Sequence, residues 1–402
     1  MTDLGGATAI AGYGDAYATV DHPRNYLELA TEALRSLLAA TGLPKSAIGA
    51  VFTGRTPVAD QRPQWNNILS SYFQLTPEYG TEVTTHGAGV NAALAYASLF
   101  TATGLVDYAL VLVADNSGTN SEHGRWVAAT DADPEFEYPY GPSIPSIYAQ
   151  TASRYMHEFG VTPETLAEVA VQHQEWAVGH PYAAKGGKGP ITVDTVLNSR
   201  LIADPIRLWN AATFGPYGTA GALLVTSVAR ARDLTDTPII IRGFGGLNTH
   251  EYSTDRLSLT SSRYDLGPLP NTTWSGARHA AARAFGLAGL TPEDIDIVEC
   301  GNNFTHIAMI LMEDFGFCEK GKAPDLVASG RLRPGGDLPW NTNGGWLSFG
   351  QPGISCGMDP IIEAVRQLRG EALGIQVENP RIALTHALGG MLACHHVTIL
   401  SR

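Results

Sequence analysis

The chain of 402 residues carries 26 basic and 39 acidic side chains, a formal charge of −13, yet only 16% of it is charged while 44 glycines and 44% hydrophobic residues make up much of the rest. That length suffices for two domains, or one large duplicated domain, with a sizeable core. Charged residues fall well below the usual share of about a quarter, which suits a surface buried in subunit contact, and no segment clusters the basic residues that a phosphate-tracking nucleic-acid binder needs.

From the N-terminus, Met1 to Gly14 lacks the basic start and apolar middle of a signal peptide. The spacing of alanine and leucine predicts a helix over Tyr26 to Ala40, stopped by Gly42-Leu43, with a short apolar run ending at Val51 that enters a strand. A glycine-bearing loop, His86-Gly87-Ala88-Gly89, then precedes an alanine-rich helix over Val90 to Thr103 and a strand over Tyr108 to Ala114. That strand stops at Asp115, and no apolar run reaches the roughly 18–20 residues of a membrane span. A cytoplasmic protein is expected.

Residues from about Asn116 to Pro216 predict an inserted loop domain covering a site. It holds a helix over Ser146 to Phe159, a second helix starting at Thr162-Pro163-Glu164, and a turn at Gly186-Gly187-Lys188-Gly189. The pattern of the first half then returns. A helix over Ser275 to Gly286 leads into Gly289 to Val298, which repeats Gly42 to Val51 about 247 residues later. The loop Gly350 to Gly357, the helix Pro360 to Arg369 and the strand Arg381 to Thr385 follow. Alternating strands and helices imply a mostly parallel sheet with helices on its faces, duplicated across residues 1–240 and 241–402.

Four cysteines, Cys300, Cys318, Cys356 and Cys394, show no CxxC spacing, so neither a zinc ribbon nor a disulfide framework is readable, and reduced thiols are expected. Loop glycines at Gly5-Gly6 and Gly243 to Gly246 lack the strand–turn–helix context of a dinucleotide site. His395-His396 lies in a strand-like run, where adjacent rings point to opposite faces, which speaks against metal binding. His173 and Trp176 are expected to pack or to line the lid.

Several stretches then carry a family resemblance: Tyr138 to Gly141, Arg154 to Gly160, His180 to Ala183, Ile191 to Val193, Ser199 to Leu208 and Asn341 to Gly345. With the duplicated halves and the insertion, this order resembles the thiolase superfamily in its sterol-carrier and lipid-transfer-protein-like branch. The resemblance implies a thiolase fold, two duplicated βαβαβαββ halves in a five-layer αβαβα sandwich with an inserted loop domain. It also implies a coenzyme A thioester as substrate, with no covalently bound cofactor, and a homodimer.

The positions that carry thiolase chemistry differ. Where thiolases place a nucleophilic cysteine at a helix N-terminus, this chain has His86. The oxyanion-hole segment reads Gly301-Asn302-Asn303-Phe304, the Gly-His-Pro loop reads Gly350-Gln351-Pro352, and the C-terminal cysteine falls at His386. Acyl-cysteine chemistry at residue 86 is thereby excluded. A histidine can act as acid or base near neutral pH, and a helix N-terminus favours its neutral form. Retro-aldol cleavage of a β-hydroxyacyl-CoA needs such a group and no covalent intermediate.

The segments Phe304 to Phe317, Leu332 to Gly336 and Asn341 to Ser348 are similar to thiolase-like aldolases of steroid side-chain degradation, which work with a small partner carrying an OB fold and a zinc ribbon. The tyrosines that branch uses for proton transfer are absent from Gly301 to Asn303 and Gly350 to Gly353. The leading expectation is a lyase with His86 and His386 as acid–base groups, and Gln351, Asn302 and Asn303 as amide donors to a thioester or enolate oxygen. Tyr217 is a further candidate proton donor. The rivals are acyl transfer or condensation on a non-CoA acceptor through Cys356, and a non-catalytic scaffolding subunit.

Overall fold

The computed structural model describes residues 4–19, 21–54, 60, 62–117, 131–213, 218–257 and 269–402. Its strands are β1 (Thr8–Ala18), β2 (Ala50–Gly54), β3 (Tyr79–Val83), β4 (Tyr108–Asp115), β5 (Leu201–Ala203), β6 (Ile206–Arg207), β7 (Gly218–Ser227), β8 (Ile239–Asn248), β9 (Ile297–Cys300), β10 (Ile382–Gly389) and β11 (Cys394–Ser401). The helices that matter below are α1 (Tyr26–Thr41), α2 (Trp65–Phe73), α3 (Ala88–Ala102), α4 (Ile144–Phe159), α5 (Pro163–Ala177), α6 (Ala277–Ala288), α7 (Thr305–Asp314) and α8 (Asp359–Arg369).

The internal repeat is a repeated helix stop. Gly42 after α1 and Gly289 after α6 both sit at φ 65°, a left-handed cap that glycine adopts without steric cost, and each N–H bonds the carbonyl four residues back, Leu38 or Phe285. A 3₁₀ turn and then β2 or β9 follow each stop. At its other end α1 is fixed by a capping box in which Asn25 and Glu28 each accept the other's backbone N–H.

Nine strands form one sheet in the order β3-β2-β4-β7-β1-β8-β11-β10-β9. The run β2-β4-β7-β1 reads the same as β9-β10-β11-β8, and the two runs join through an antiparallel ladder pairing Thr8, Ala9 and Ile10 with Ile241, Ile240 and Ile239. Helix α1 covers the outer face of the first run and α6 that of the second. Helix α3 lies between them and touches β2, β4 and β7 on one side and β10 and β11 on the other, with α8 beside it, which gives the αβαβα layering. The connection between halves is the turn at residues 235–238, just before β8.

The halves differ at one edge. In the first, β2 pairs with β3 over five residues; in the second, β9 has only a single bridge from Val298 to Trp340 at the equivalent place. Two prolines, Pro334 and Pro339, and the pair Gly335-Gly336 occupy the preceding stretch. Pro339 has no N–H to give, and its carbonyl accepts from Val298 while Asn341 donates to Val298 O, which is as far as the ladder runs.

The insertion leaves the first half but packs on the second. Tyr155 of α4 donates to the Glu313 carboxylate of α7, Gln172 of α5 donates to Val327 O at 2.7 Å, and Trp176 donates to Leu332 O at 2.9 Å. Tyr155 and Trp176 are 0% and 1% exposed, so each apolar body is fully buried while its polar end is satisfied. Tyr155→Phe would leave a buried carboxylate short of a donor, and an equilibrium denaturant titration should show a loss of about 1.5–3 kcal/mol. An unchanged midpoint would remove this bond as a tie between the insertion and the second half. Among the described residues no helix is long and apolar enough to cross a membrane.

Candidate active site

A cleft opens where the C-terminal ends of β9 and β10 meet the N-terminus of α3. Ligands of open α/β sheets bind at this end of the strands. His86 stands at its mouth, held by close backbone approaches: a side chain on Gly389 would overlap the Thr85 carbonyl, and one on Gly87 would lie 3.0 Å from Leu388 O. His86 itself sits at φ 48°, a left-handed conformation uncommon outside glycine, and such conformations gather at functional sites.

Its partner is Asp131, the first described residue after 117, whose Oδ2 lies 3.4 Å from His86 Nε2. Burial works against a charged imidazole, but the hydrogen bond and charge of Asp131 outweigh it and raise the pKa above the ordinary 6.5. The neutral ring expected from the helix N-terminus is thus overridden by a carboxylate from the insertion. Nothing in the pattern around Asp131 marks it among 39 acidic residues.

Tyr148, one turn into α4, also enters the cleft. Its hydroxyl donates to Gly390 O at 3.1 Å, and its oxygen is hydrogen-bonded by the Asn303 amide. Burial raises its pKa, so the phenol stays protonated and remains a donor. The Oδ1 of Asn303, buried at the cleft wall, has no hydrogen-bond partner among the described residues, and neither has Gln351 Oε1.

Of the residues singled out in the sequence, His86, Asn303, Gln351 and Cys356 come together in this cleft. Asn302 and His386 do not. Asn302 is fully buried, its Oδ1 accepting from Asn341 Nδ2 at 2.6 Å and its Nδ2 donating to His173 Nε2 at 2.9 Å. The other ring nitrogen of His173 bonds Val169 O, and burial lowers its pKa to about 4, so a neutral ring accepts from both amides. Asn302 is therefore a structural link between β9 and α5, not an oxyanion donor.

His386 misses the cleft through strand alternation. Thr385 turns its hydroxyl to Asn91 on the central helix α3, so the next side chain points outward, edge-on to Phe315 and stacked on His395 at 5.3 Å. Burial drives its pKa well below 6.5. His395 and His396 do point to opposite faces, the latter against Gly246. Among the described residues no cluster of histidine, cysteine and carboxylates could hold a metal. Tyr217 lies outside the described residues.

Cys356 lies in the 3₁₀ turn Ile354–Gly357 and lines the cleft, but its thiol is not activated. Burial, with Asp359 and Asp115 nearby, pushes its pKa well above the ordinary value, against a weaker hydrogen bond from Gln351. A protonated thiol is a poor nucleophile. Cys356→Ala is expected to keep turnover within about threefold of wild type, and loss of all activity would restore the acyl-transfer reading.

A model described as Thiolase C-terminal domain-like matches residues 259–402. The chain is 33% identical to the 17-hydroxy-3-oxo-4-pregnene-20-carboxyl-CoA lyase of Mycobacterium tuberculosis, across 96% of each chain. It is 31% identical to a steroid side-chain-cleaving aldolase of Thermomonospora curvata over 97% of each. It is also 31% identical to an acetyl-CoA acetyltransferase of Methanothermobacter thermautotrophicus over 94% of this chain and 95% of that one. The solved structure of the Ltp2-ChsH2(DUF35) aldolase superposes with a TM-score of 0.82 at 29% identity, covering 99% of this chain and 98% of that one. These likenesses place the chain in the thiolase superfamily, within the sterol-carrier and lipid-transfer-protein-like branch and on its aldolase side rather than among the classic thiolases.

Proposed function

We propose that this protein is a retro-aldol C–C lyase that cleaves a β-hydroxyacyl-CoA thioester with a steroid or other bulky acyl chain. The observation that carries the reading is the His86–Asp131 pair in the cleft where a thiolase would present its cysteine. Neutral His86 takes the β-hydroxyl proton, and the hydroxyl oxygen becomes the carbonyl of the departing ketone as the Cα–Cβ bond breaks. The bond's electron pair passes to the acyl-CoA fragment as an enolate. The imidazolium, stabilised by Asp131, returns its proton to Cα, so atoms and charge balance without an added reactant. The Asn303 and Gln351 amides in the cleft wall are the donors we propose for the enolate oxygen, while Tyr148, whose own proton goes to Gly390 O, holds the Asn303 amide.

Coenzyme A is part of the substrate in this scheme, and nothing need be bound covalently. A homodimer, with a small OB-fold and zinc-ribbon partner on the low-charge surface, is the assembly we propose. What supports the partner is the likeness to the Ltp2-ChsH2(DUF35) aldolase. Incubating the protein with candidate β-hydroxyacyl-CoAs, with and without such a partner, should release a ketone and a shortened acyl-CoA. Absence of cleavage together with an acyl adduct on Cys356 would replace the lyase by acyl transfer, and tight partner binding with no acyl-CoA affinity would favour a scaffold.

A further inference from the structure

A second, smaller hollow adjoins the cleft and shares Tyr148 and Met391 with it. Its walls hold three hydroxyls, those of Thr151, Ser253 and Thr272, none of which has a hydrogen-bond partner among the described residues, and Thr151 and Thr272 are 5% and 8% exposed. None of the three is sealed off, so each is open to a ligand that enters this space. Arg256 joins them at 4% exposure. Its Nη2 is bound to the carbonyls of Asn271 and Trp274, the latter at 2.8 Å, and among the described residues no carboxylate forms an ion pair with it.

Asp314 adds a favourable charge near Arg256, but its own oxygens are taken by Ser275 and Lys320. His250, also in the wall, is neutral: it bonds Thr249 and Met391 O, and burial lowers its pKa to about 4. One buried guanidinium and three convergent hydroxyls therefore face a common space, a donor set that matches a carboxylate.

Resting on the lyase reading, we infer that this cavity receives the substrate end remote from the thioester, and that this end carries a carboxylate held by Arg256, Thr151, Ser253 and Thr272. The shared wall of Tyr148 and Met391 puts that end next to the reacting carbons, so the cavity selects substrates by the fragment beyond the cleaved bond.

The test uses pairs of β-hydroxyacyl-CoAs of equal length ending in a carboxylate or a methyl ketone, with the matching non-hydroxylated thioesters measured for binding by calorimetry. The carboxylate member should be favoured about 10–100-fold in kcat/KM and in affinity. Arg256→Gln should bring that ratio close to one. Because Arg256 also ties two backbone carbonyls, Thr272→Val and Thr151→Val serve as isosteric variants that leave those bonds intact, and each should narrow the ratio about threefold or more. A carboxylate preference in binding without cleavage of either compound would keep the cavity and overturn the lyase. Equal cleavage and equal binding of the pair, or preference for the ketone, would keep the lyase and overturn the cavity's role.

Discussion

His86→Ala is expected to lower kcat/KM for β-hydroxyacyl-CoA cleavage by about 10²–10⁴, the range for losing a positioned acid–base group. Asp131→Asn separates chemistry from architecture. Cleavage begins with neutral His86, so the rate climbs with pH through the imidazole pKa, which Asp131 holds above 6.5. Removing the carboxylate's charge should move the acid limb of the kcat/KM profile to lower pH while reducing the plateau, since the imidazolium loses its stabiliser. The stability linkage has the matching sign: the pair stabilises the fold fully below the unfolded pKa, and that contribution fades as pH rises through the folded one. Thermal melts of wild type against Asp131→Asn should therefore differ more at pH 5 than at pH 9. A lower rate with an unmoved acid limb would reduce Asp131 to a packing residue.

Local rules made much of the frame readable. The predicted helix over Tyr26 to Ala40 is α1, Tyr26–Thr41, because its capping residues and its glycine stop are written in adjacent sequence. The strand over Tyr108 to Ala114 is β4, one residue longer, and the repeat between Gly42 and Gly289 is two copies of one left-handed cap. The duplicated α/β frame followed from such signals, whereas the five-layer sandwich and the place of His86 in it came from the resemblance to the thiolase superfamily. What failed depends on direction rather than position. Asn302 and Asn303 are neighbours of one type, yet backbone geometry after β9 turns one into the His173–Asn341 cluster and the other into the cleft. His386 fails by the same arithmetic of alternation. Asp131 and Tyr148 reach the site only because the insertion folds onto the second half, through contacts such as Tyr155 with Glu313 that connect residues 158 apart in sequence. No local pattern encodes that docking.

The approach of β10's end to the His86 loop gives the second large effect. At Gly389 a methyl group would overlap the Thr85 carbonyl and come within 3.3 Å of the His86 Cβ. Backbone atoms on both sides leave no side chain to swing away, so Gly389→Ala must push the loop bearing His86 off β10. Overpacking of this kind costs roughly 3 kcal/mol at the upper end of the usual range, and a shift near 1 Å in a catalytic group can lose about 10²-fold in rate. Gly390→Ala is the control. Its φ of 58° makes any side chain strained, but the nearest atom to the new methyl is Ala393 Cβ at 3.1 Å, away from His86. It should destabilise by about 1–2 kcal/mol through the left-handed penalty with a far smaller loss of kcat. Paired denaturation and kinetic measurements distinguish the two, because equal kinetic losses in both variants would mean that His86 is positioned by something other than this contact.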